Sequence, residues 1–302
     1  MIKSTRVEYS SFAELHPIVN FTYFVVVIGI SMFSMHPIFL GMTFFVSFYY
    51  SIWLKGKKAI KFNLGSMLPI IVFMAVINPL FVHRGKTVLF YLNGNAMTLE
   101  SILYGVAAAS MLTSVIIWFS CYSIIMTSDK FIYLFGRIMP KISLVLSMCF
   151  RFIPMLKNRF KEISEGQKCM GRNFSKANIL KRGRQLCKEV SILIAWSLEA
   201  SIETADSMEA RGYGLKGRSS FSIFKFDTRD GIVMFIITAL FIIVGYGCCI
   251  GENNILYYPE IIIKPISWST VIILGAYFML LLLPIIIDVL GDLKWKELNL
   301  EK

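Results

Sequence analysis

Six stretches of this chain are apolar for long enough to cross a bilayer, and about a hundred residues between the fourth and fifth are not. The apolar runs are Ile18–Met35, His36–Leu54, Leu64–Val82, Leu99–Met126, Ile232–Ile250 and Ile266–Val289. A spanning helix needs about 20 mainly apolar residues. Backbone groups in hydrocarbon must be satisfied within the segment, which leaves helices or closed barrels. The alternation of barrel strands is absent, so the runs are predicted to be helices. Only the turn-like Ser34-Met35-His36-Pro37 parts the first two. A seventh run, Ile142–Pro154, is too short to cross alone and carries Arg151. It reads as an interfacial or buried helix.

The segment without spans has its own pattern. Phe152, Leu156, Phe160, Ile163, Gln167, Met170 and Phe174 recur at steps of three and four, one face of a helix. Lys157, Arg159, Lys161, Glu162, Glu165 and Lys168 fill the remainder. Pro154 is expected to bend or begin this helix. A second helix is predicted with Ile194, Leu198, Ile202, Ala205 and Met208 as its apolar face and Glu199, Glu203 and Asp206 on another. That acidic row either pairs with basic residues of the preceding helix or faces water. Between the two helices lies the basic stretch Lys176–Lys188, interrupted by Gly183. The chain is thus predicted to be all-α and polytopic, with about six transmembrane helices and long amphipathic helices outside the bilayer. Its parts are residues 1–126, 127–230 and 231–302.

Charge orients this plan. The 31 Lys and Arg against 19 Asp and Glu give a net charge of +12. Nineteen of the basic and ten of the acidic residues lie between Thr127 and Asp230, so +9 is concentrated there. Lys55, Lys57, Lys58 and Lys61 form a second basic cluster between spans two and three. Short cytoplasmic loops collect Lys and Arg. Six spans with both termini in the cytoplasm put both clusters there, and put the loops holding His83, Arg84 and Lys86, and Glu252 and Glu260, outside. The partner of a basic chain with this hydropathy is the bilayer rather than nucleic acid. Lys3 and Arg6 precede the first run, but no small-x-small cleavage site follows, so a removed signal peptide is not expected.

Candidate chemistry is sparse. Six cysteines show neither metal-ligand spacing nor a disulfide framework. His16, His36 and His83 are far apart, each at a membrane edge, which suits turn roles better than a metal. No Gly-x-x-x-x-Gly-Lys-Ser/Thr phosphate loop is present, so any ATP must be handled by another chain. Ionisable residues inside spans mark ion-coupled carriers. Here Glu100 stands at the start of span four and Asp288 at the end of span six, with Asn20 and Asn78 as neutral polar residues. A stand-alone secondary carrier or channel is the alternative this scarcity weighs against. No convergent catalytic set supports a membrane enzyme.

One pattern repeats. The first amphipathic helix ends in Cys169-Met170-Gly171-Arg172-Asn173-Phe174 and the second in Glu209-Ala210-Arg211-Gly212-Tyr213. Both read small, Arg, small or turn-forming, aromatic. Gly or Asn stops a helix in the left-handed conformation, Arg suits the last turn's dipole, and its planar fork grips carboxylates or carbonyls. Two copies suggest two helices presenting one group to two similar receptors.

With these residues the chain resembles the transmembrane T component of energy-coupling factor (ECF) transporters, ATP-driven importers of vitamins and micronutrients. Ala210-Arg211-Gly212 and the looser Gly171-Arg172-Asn173 carry the likeness. Support comes from Leu15-His16-Pro17, Asn78-Pro79-Leu80-Phe81, His83-Arg84-Gly85, Leu89-Phe90-Tyr91 and Thr98-Leu99-Glu100. The resemblance implies a non-catalytic, cofactor-free subunit of the cell membrane. Its two arginine motifs would dock into a pair of ATP-binding-cassette (ABC) ATPases. Coupling helices, packed through Phe152, Leu156, Phe160 and Ile163 and through Ile194, Leu198, Ile202 and Ala205, would hold a substrate-binding S component beside the membrane part. Arg172 is the first motif arginine, with Gly171 where the family has Ala and Asn173 where it has Gly.

Overall fold

A computed structural model of the chain describes residues 10–82, 85–92, 95–136, 139–171, 179–215, 224–251, 253, 255–262 and 267–300. In chain order the elements are α1 (Pro17–Phe33), α2 (Pro37–Lys55), α3 (Lys57–Phe81), the antiparallel hairpin β1 (Val88–Leu92) and β2 (Asn95–Thr98), α4 (Leu99–Ile125), α5 (Ser128–Gly136), α6 (Pro140–Cys169), α7 (Ile179–Ala210), α8 (Thr228–Ile250) and α9 (Trp268–Leu300). They divide into two compact units. One joins the chain up to Thr127 with everything from Phe224 onward, and the other is Ser128–Ile223.

In the first unit, α2, α3, α4, α8 and α9 are long and apolar enough to cross a membrane. The sixth expected span is shorter than the sequence suggested. Helix α1 has 17 residues, about 26 Å at 1.5 Å per residue, against a hydrocarbon core of about 30 Å. Its start is fixed by His16 and Pro17, and Ser34 is extended at its end. Helix α9 runs past the expected end at Val289, through Leu300. The core of this unit is aromatic and aliphatic: Phe12, Tyr23, Phe24, Phe39, Tyr50, Trp118, Ile237 and Tyr277 are all essentially inaccessible. Tyr23, Tyr50 and Phe24 surround Trp118 at centroid distances of 5.9–6.2 Å, the edge and tilted geometries aromatic rings prefer. Helix α3 differs, because Leu64, Leu68, Val72, Phe73, Val76 and Leu80 all point outward. Such a face suits lipid. Where α3 meets α4, Gly105 is needed: a Cβ there would stand 2.7 Å from the Met74 carbonyl oxygen.

Histidine starts two helices the same way. In His16-Pro17-Ile18 and His36-Pro37-Ile38 the imidazole Nδ1 accepts the backbone N–H two residues on, at 3.3 Å in each case. Proline at the first helical position needs no partner for its nitrogen. The acceptor role requires an unprotonated Nδ1. Burial lowers the His36 pKa below the ordinary value of about 6.5. The proton therefore binds the unfolded chain first. The stability due to this cap is complete above the unfolded pKa and is lost as pH falls through the folded one. The thermal midpoint in detergent is expected to fall between pH 7.5 and 5.5. His36→Asn keeps a cap acceptor without titrating and should flatten that fall by about 1 kcal/mol. An identical pH slope in both proteins would remove His36 as the cause.

The second unit is built from α5, α6 and α7. Pro154 lies inside α6 rather than at its start, so Ile142–Pro154 and the amphipathic stripe are one 30-residue helix. Ile142, Val145 and Ile153 are exposed, so this run is not a buried helix within the chain. The basic stretch expected between the two helices is largely helical as well, since α7 begins at Ile179 and contains Gly183. One interior glycine costs only about 1 kcal/mol relative to alanine, which a 32-residue helix absorbs.

Candidate functional site

Helices α6 and α7 form an antiparallel pair. Gln185 Nε2 donates to Glu189 Oε1 at 3.1 Å and lies 3.5 Å from Gln167 Oε1, and all three residues are buried. Further along, the Arg159 guanidinium stacks 4.8 Å from the Trp196 ring. On α6 Phe152, Leu156, Phe160 and Ile163 are half-buried and Gln167 is buried, whereas Met170, expected on the same stripe, is 60% exposed. On α7 the less exposed positions are Gln185, Glu189, Leu193, Trp196, Ser197, Ala200, Thr204 and Met208. Ile194, Leu198 and Ile202 are 53%, 63% and 65% exposed, and Ala205 is exposed with them. These four do not pack against α6. Apolar residues occupy two faces of α7, and periodicity selected the outer one. The inner face was hard to see because Gln185, Glu189 and Thr204 interrupt it with polar atoms. The row Glu199, Glu203 and Asp206 is exposed and makes no ion pair among the described residues.

The end of α7 is closed by a complete Schellman motif. Gly212 N–H donates to the Glu209 carbonyl at 2.9 Å, and Tyr213 N–H to the Met208 carbonyl at 3.0 Å. Gly212 has φ +78°, a conformation in which an L side chain is strained. Ala210 is the last helical residue and Arg211 the C-cap, so the guanidinium leaves the rod at its rim. It is exposed, and has no acidic partner among the described residues. The end of α6 is built in a different register. Gly171 takes the left-handed conformation, φ +77°, and its N–H donates to the Lys168 carbonyl at 3.0 Å. There the glycine precedes the motif arginine, whereas in the second copy it follows. Arg172 and Asn173 lie outside the described residues, as does Phe174.

Spacing between the two helix ends follows from the pairing. Gln167, near the end of α6, meets Gln185. Arg211 is 26 residues further along α7, about 39 Å of helix. The ends are therefore presented at opposite ends of one rod and cannot serve one small site.

Other motif residues converge in the first unit. Asn78 Nδ2 donates to the Ser101 carbonyl at 2.6 Å, and Ser101 Oγ donates to the Val82 carbonyl at 2.9 Å. Thr87 N–H donates to Glu100 Oε1 at 3.1 Å. Together they lock the end of α3, the hairpin and the start of α4. Gly85 completes the junction: a Cβ on it would lie 2.5 Å from Glu100 Oε2 and 2.7 Å from Thr98 Oγ1. Gly85→Ala is expected to lower stability by about 1–3 kcal/mol, read as a reduced thermal midpoint in detergent. An unchanged midpoint would show the junction to be pliable. His83 and Arg84, from the same motif, lie outside the described residues. Glu100 is thus a structural acceptor. Asp288 is another, and sequence reasoning did not find its partners: Ser10 Oγ–H and Phe12 N–H both donate to its Oδ1, at 2.8 and 2.9 Å. Asp230 does similar work, accepting His16 N–H at 3.1 Å and Asp227 N–H at 3.1 Å. Among the described residues, no group of three or more His, Cys, Asp or Glu side chains is placed to hold a metal ion.

Comparison with known proteins agrees with these motifs. The family model of CbiQ, cobalt transport protein, matches residues 13–223. An energy-coupling factor transporter transmembrane protein EcfT of Brevibacillus brevis is 27% identical over 228 residues, covering 70% of this chain and 82% of the relative. The EcfT of Lacticaseibacillus paracasei is 27% identical over 217 residues, covering 66% and 81%. That of Streptococcus thermophilus is 34% identical over 107 residues, only 35% of this chain and 40% of the relative. The chain belongs to the CbiQ cobalt transport protein family, as a multi-pass transmembrane T component of the energy-coupling factor type.

Proposed function

We propose that this T component links two ABC ATPases to a membrane-embedded S component and converts ATP hydrolysis into import of a vitamin or another micronutrient. The observation that carries this reading is the pair of helix ends set about 39 Å apart along α7, each stopped by a left-handed glycine that is adjacent in sequence to a motif arginine. Two identical or similar ATPases offer two similar receptors, and one rod spans both. The arginines Arg172 and Arg211 enter those receptors, with Gly171, Asn173, Ala210 and Gly212 small enough to let them seat. Ile194, Leu198, Ile202 and Ala205 form an exposed apolar stripe, and the S component covers it. Both termini and the unit Ser128–Ile223 face the cytoplasm of a cell-membrane protein, as its concentration of Lys and Arg favours. ATP and magnesium are bound by the partner ATPases, and this chain catalyses nothing itself.

Uptake by proteoliposomes tests the proposal. The tagged chain is purified from native membranes with its bound subunits and reconstituted with or without the ATPases, with ATP on the ATPase side. Uptake is expected only with ATPases and ATP together. Uptake by the chain without ATPases would support a stand-alone carrier.

A further inference from the structure

Helix α3 carries its charge and its outward apolar surface on one face. Lys57, Lys61, Leu64, Leu68, Val72 and Val76 recur at steps of four and three, one stripe of a helix. Both lysines are exposed, and the four aliphatic side chains are 47–61% exposed. The length of the stripe sets its depth in the bilayer. Phe81 stands 20 residues after Lys61, about 30 Å of helix, which matches the hydrocarbon core. Lys57 lies one turn further out, about 6 Å, within a headgroup layer about 5–7 Å deep on each side. With the apolar stripe in hydrocarbon, both lysines stand among lipid headgroups rather than in open water.

Among the described residues nothing neutralises them. From Leu15 to Leu99 the sequence has no Asp or Glu, and neither Lys57 nor Lys61 makes an ion pair. Lys55 differs: its Nζ donates to Ser120 Oγ and lies 5.2 Å from the centre of the Phe62 ring, so the chain itself uses it. We propose that Lys57 and Lys61 bind the headgroup phosphate of an anionic phospholipid whose acyl chains lie along Leu64, Leu68 and Val72. Two positive charges in this layer favour a lipid of net negative charge over a zwitterionic one, whose own ammonium group competes for the phosphate. Each lysine near an anionic lipid surface contributes about fivefold in affinity. The inference needs only that α3 spans the bilayer, and it stands apart from the ATPase contacts proposed above.

The test uses the tagged chain with its bound subunits, reconstituted in vesicles that contain brominated lipid. Bromine on an acyl chain quenches a tryptophan that it touches. Leu64→Trp places a reporter beside the two lysines, and its signal is the difference from the same protein without it. Brominated phosphatidylglycerol is expected to bind there at least fivefold more tightly than brominated phosphatidylcholine. Lys57→Gln with Lys61→Gln should bring that ratio close to one, whereas Lys57→Arg with Lys61→Arg should keep it. Both lysines are exposed, so neither pair of changes disturbs the packing. Added inorganic phosphate should leave the ratio as it was. Equal quenching by the two lipids with both lysines present would overturn the proposal, as would a preference that survives the glutamine changes. A preference abolished by inorganic phosphate would overturn it in favour of a simple ion site. A reporter that neither lipid quenches would overturn it too, because a protein subunit would then cover the face.

Discussion

Replacing Arg211 by alanine is expected to reduce ATP-driven uptake at least tenfold, and replacing Arg172 and Arg211 together to abolish it. The magnitude follows from the contact. Truncating one partner of a buried, hydrogen-bonded charge pair at an interface costs about 2–5 kcal/mol, and each 1.4 kcal/mol is about tenfold in affinity. The loss should be specific to coupling. Arg211 is exposed and caps the helix through its backbone, whose N–H reaches the Ser207 carbonyl at 3.2 Å. Removing its side chain leaves the Gly212 and Tyr213 hydrogen bonds in place. The thermal midpoint of Arg211→Ala should therefore match wild type while uptake falls. Arg211→Lys should recover only part of the activity, because a lysine cannot make the two-pronged contact of a guanidinium. Full uptake by the double alanine variant, measured in proteoliposomes with both ATPases bound, would end the arginine argument.

The second large effect is on stability. Asp288→Ala is expected to destabilise the protein by about 2–5 kcal/mol, because it strands two buried donors at once. The Phe12 N–H and Ser10 hydroxyl both end on Asp288 Oδ1. Phe12 and Leu15, in the same segment, are fully buried. The carboxylate thus ties the segment before α1 to α9. Gly291 keeps that seat open, because a Cβ there would lie 2.6 Å from Ser11 Cβ. A drop in thermal midpoint of roughly 5–15 °C is expected. Asp288→Asn retains an acceptor oxygen and should lose much less. If Asp288→Ala melts within a degree or two of wild type, the tether is not what holds the N-terminal segment.

Sequence alone showed much of this molecule, for physical reasons that differ from place to place. The spans were legible because lipid demands long uninterrupted apolar helices, and the starts of α2 and α4 follow His36-Pro37 and Thr98 closely. Helix α1 is shorter than the run that predicts it: Ile18–Met35 is mainly apolar, but Ser34 already leaves the helix. Asp288 and Asp230 were unreadable as tethers because their partners lie 276 and 214 residues away. The junction of Asn78, Gly85, Thr98 and Glu100 was visible as a set of motif residues, yet its geometry required the fold. On α6 the less exposed positions follow the expected stripe from Phe152 to Gln167, whose other faces are charged, but Met170, in the same stripe, is exposed. On α7 the apolar residues form two stripes, and only packing separates the one against α6 from the one left exposed. The end of α7 at Ala210 and Arg211 was legible from its setting, whereas the register of the left-handed glycines, before one arginine and after the other in sequence, was not written in residue types.

The most direct measurement is the amount of each ATPase recovered per tagged chain when the protein is purified from native membranes. The wild-type chain should bring down two ATPase subunits in equal amounts, and the double variant Arg172→Ala, Arg211→Ala should bring down almost none while still eluting as a folded protein. Recovery of both ATPases at the wild-type ratio with the double variant would show that the two helix ends are not where the nucleotide-driven subunits hold on.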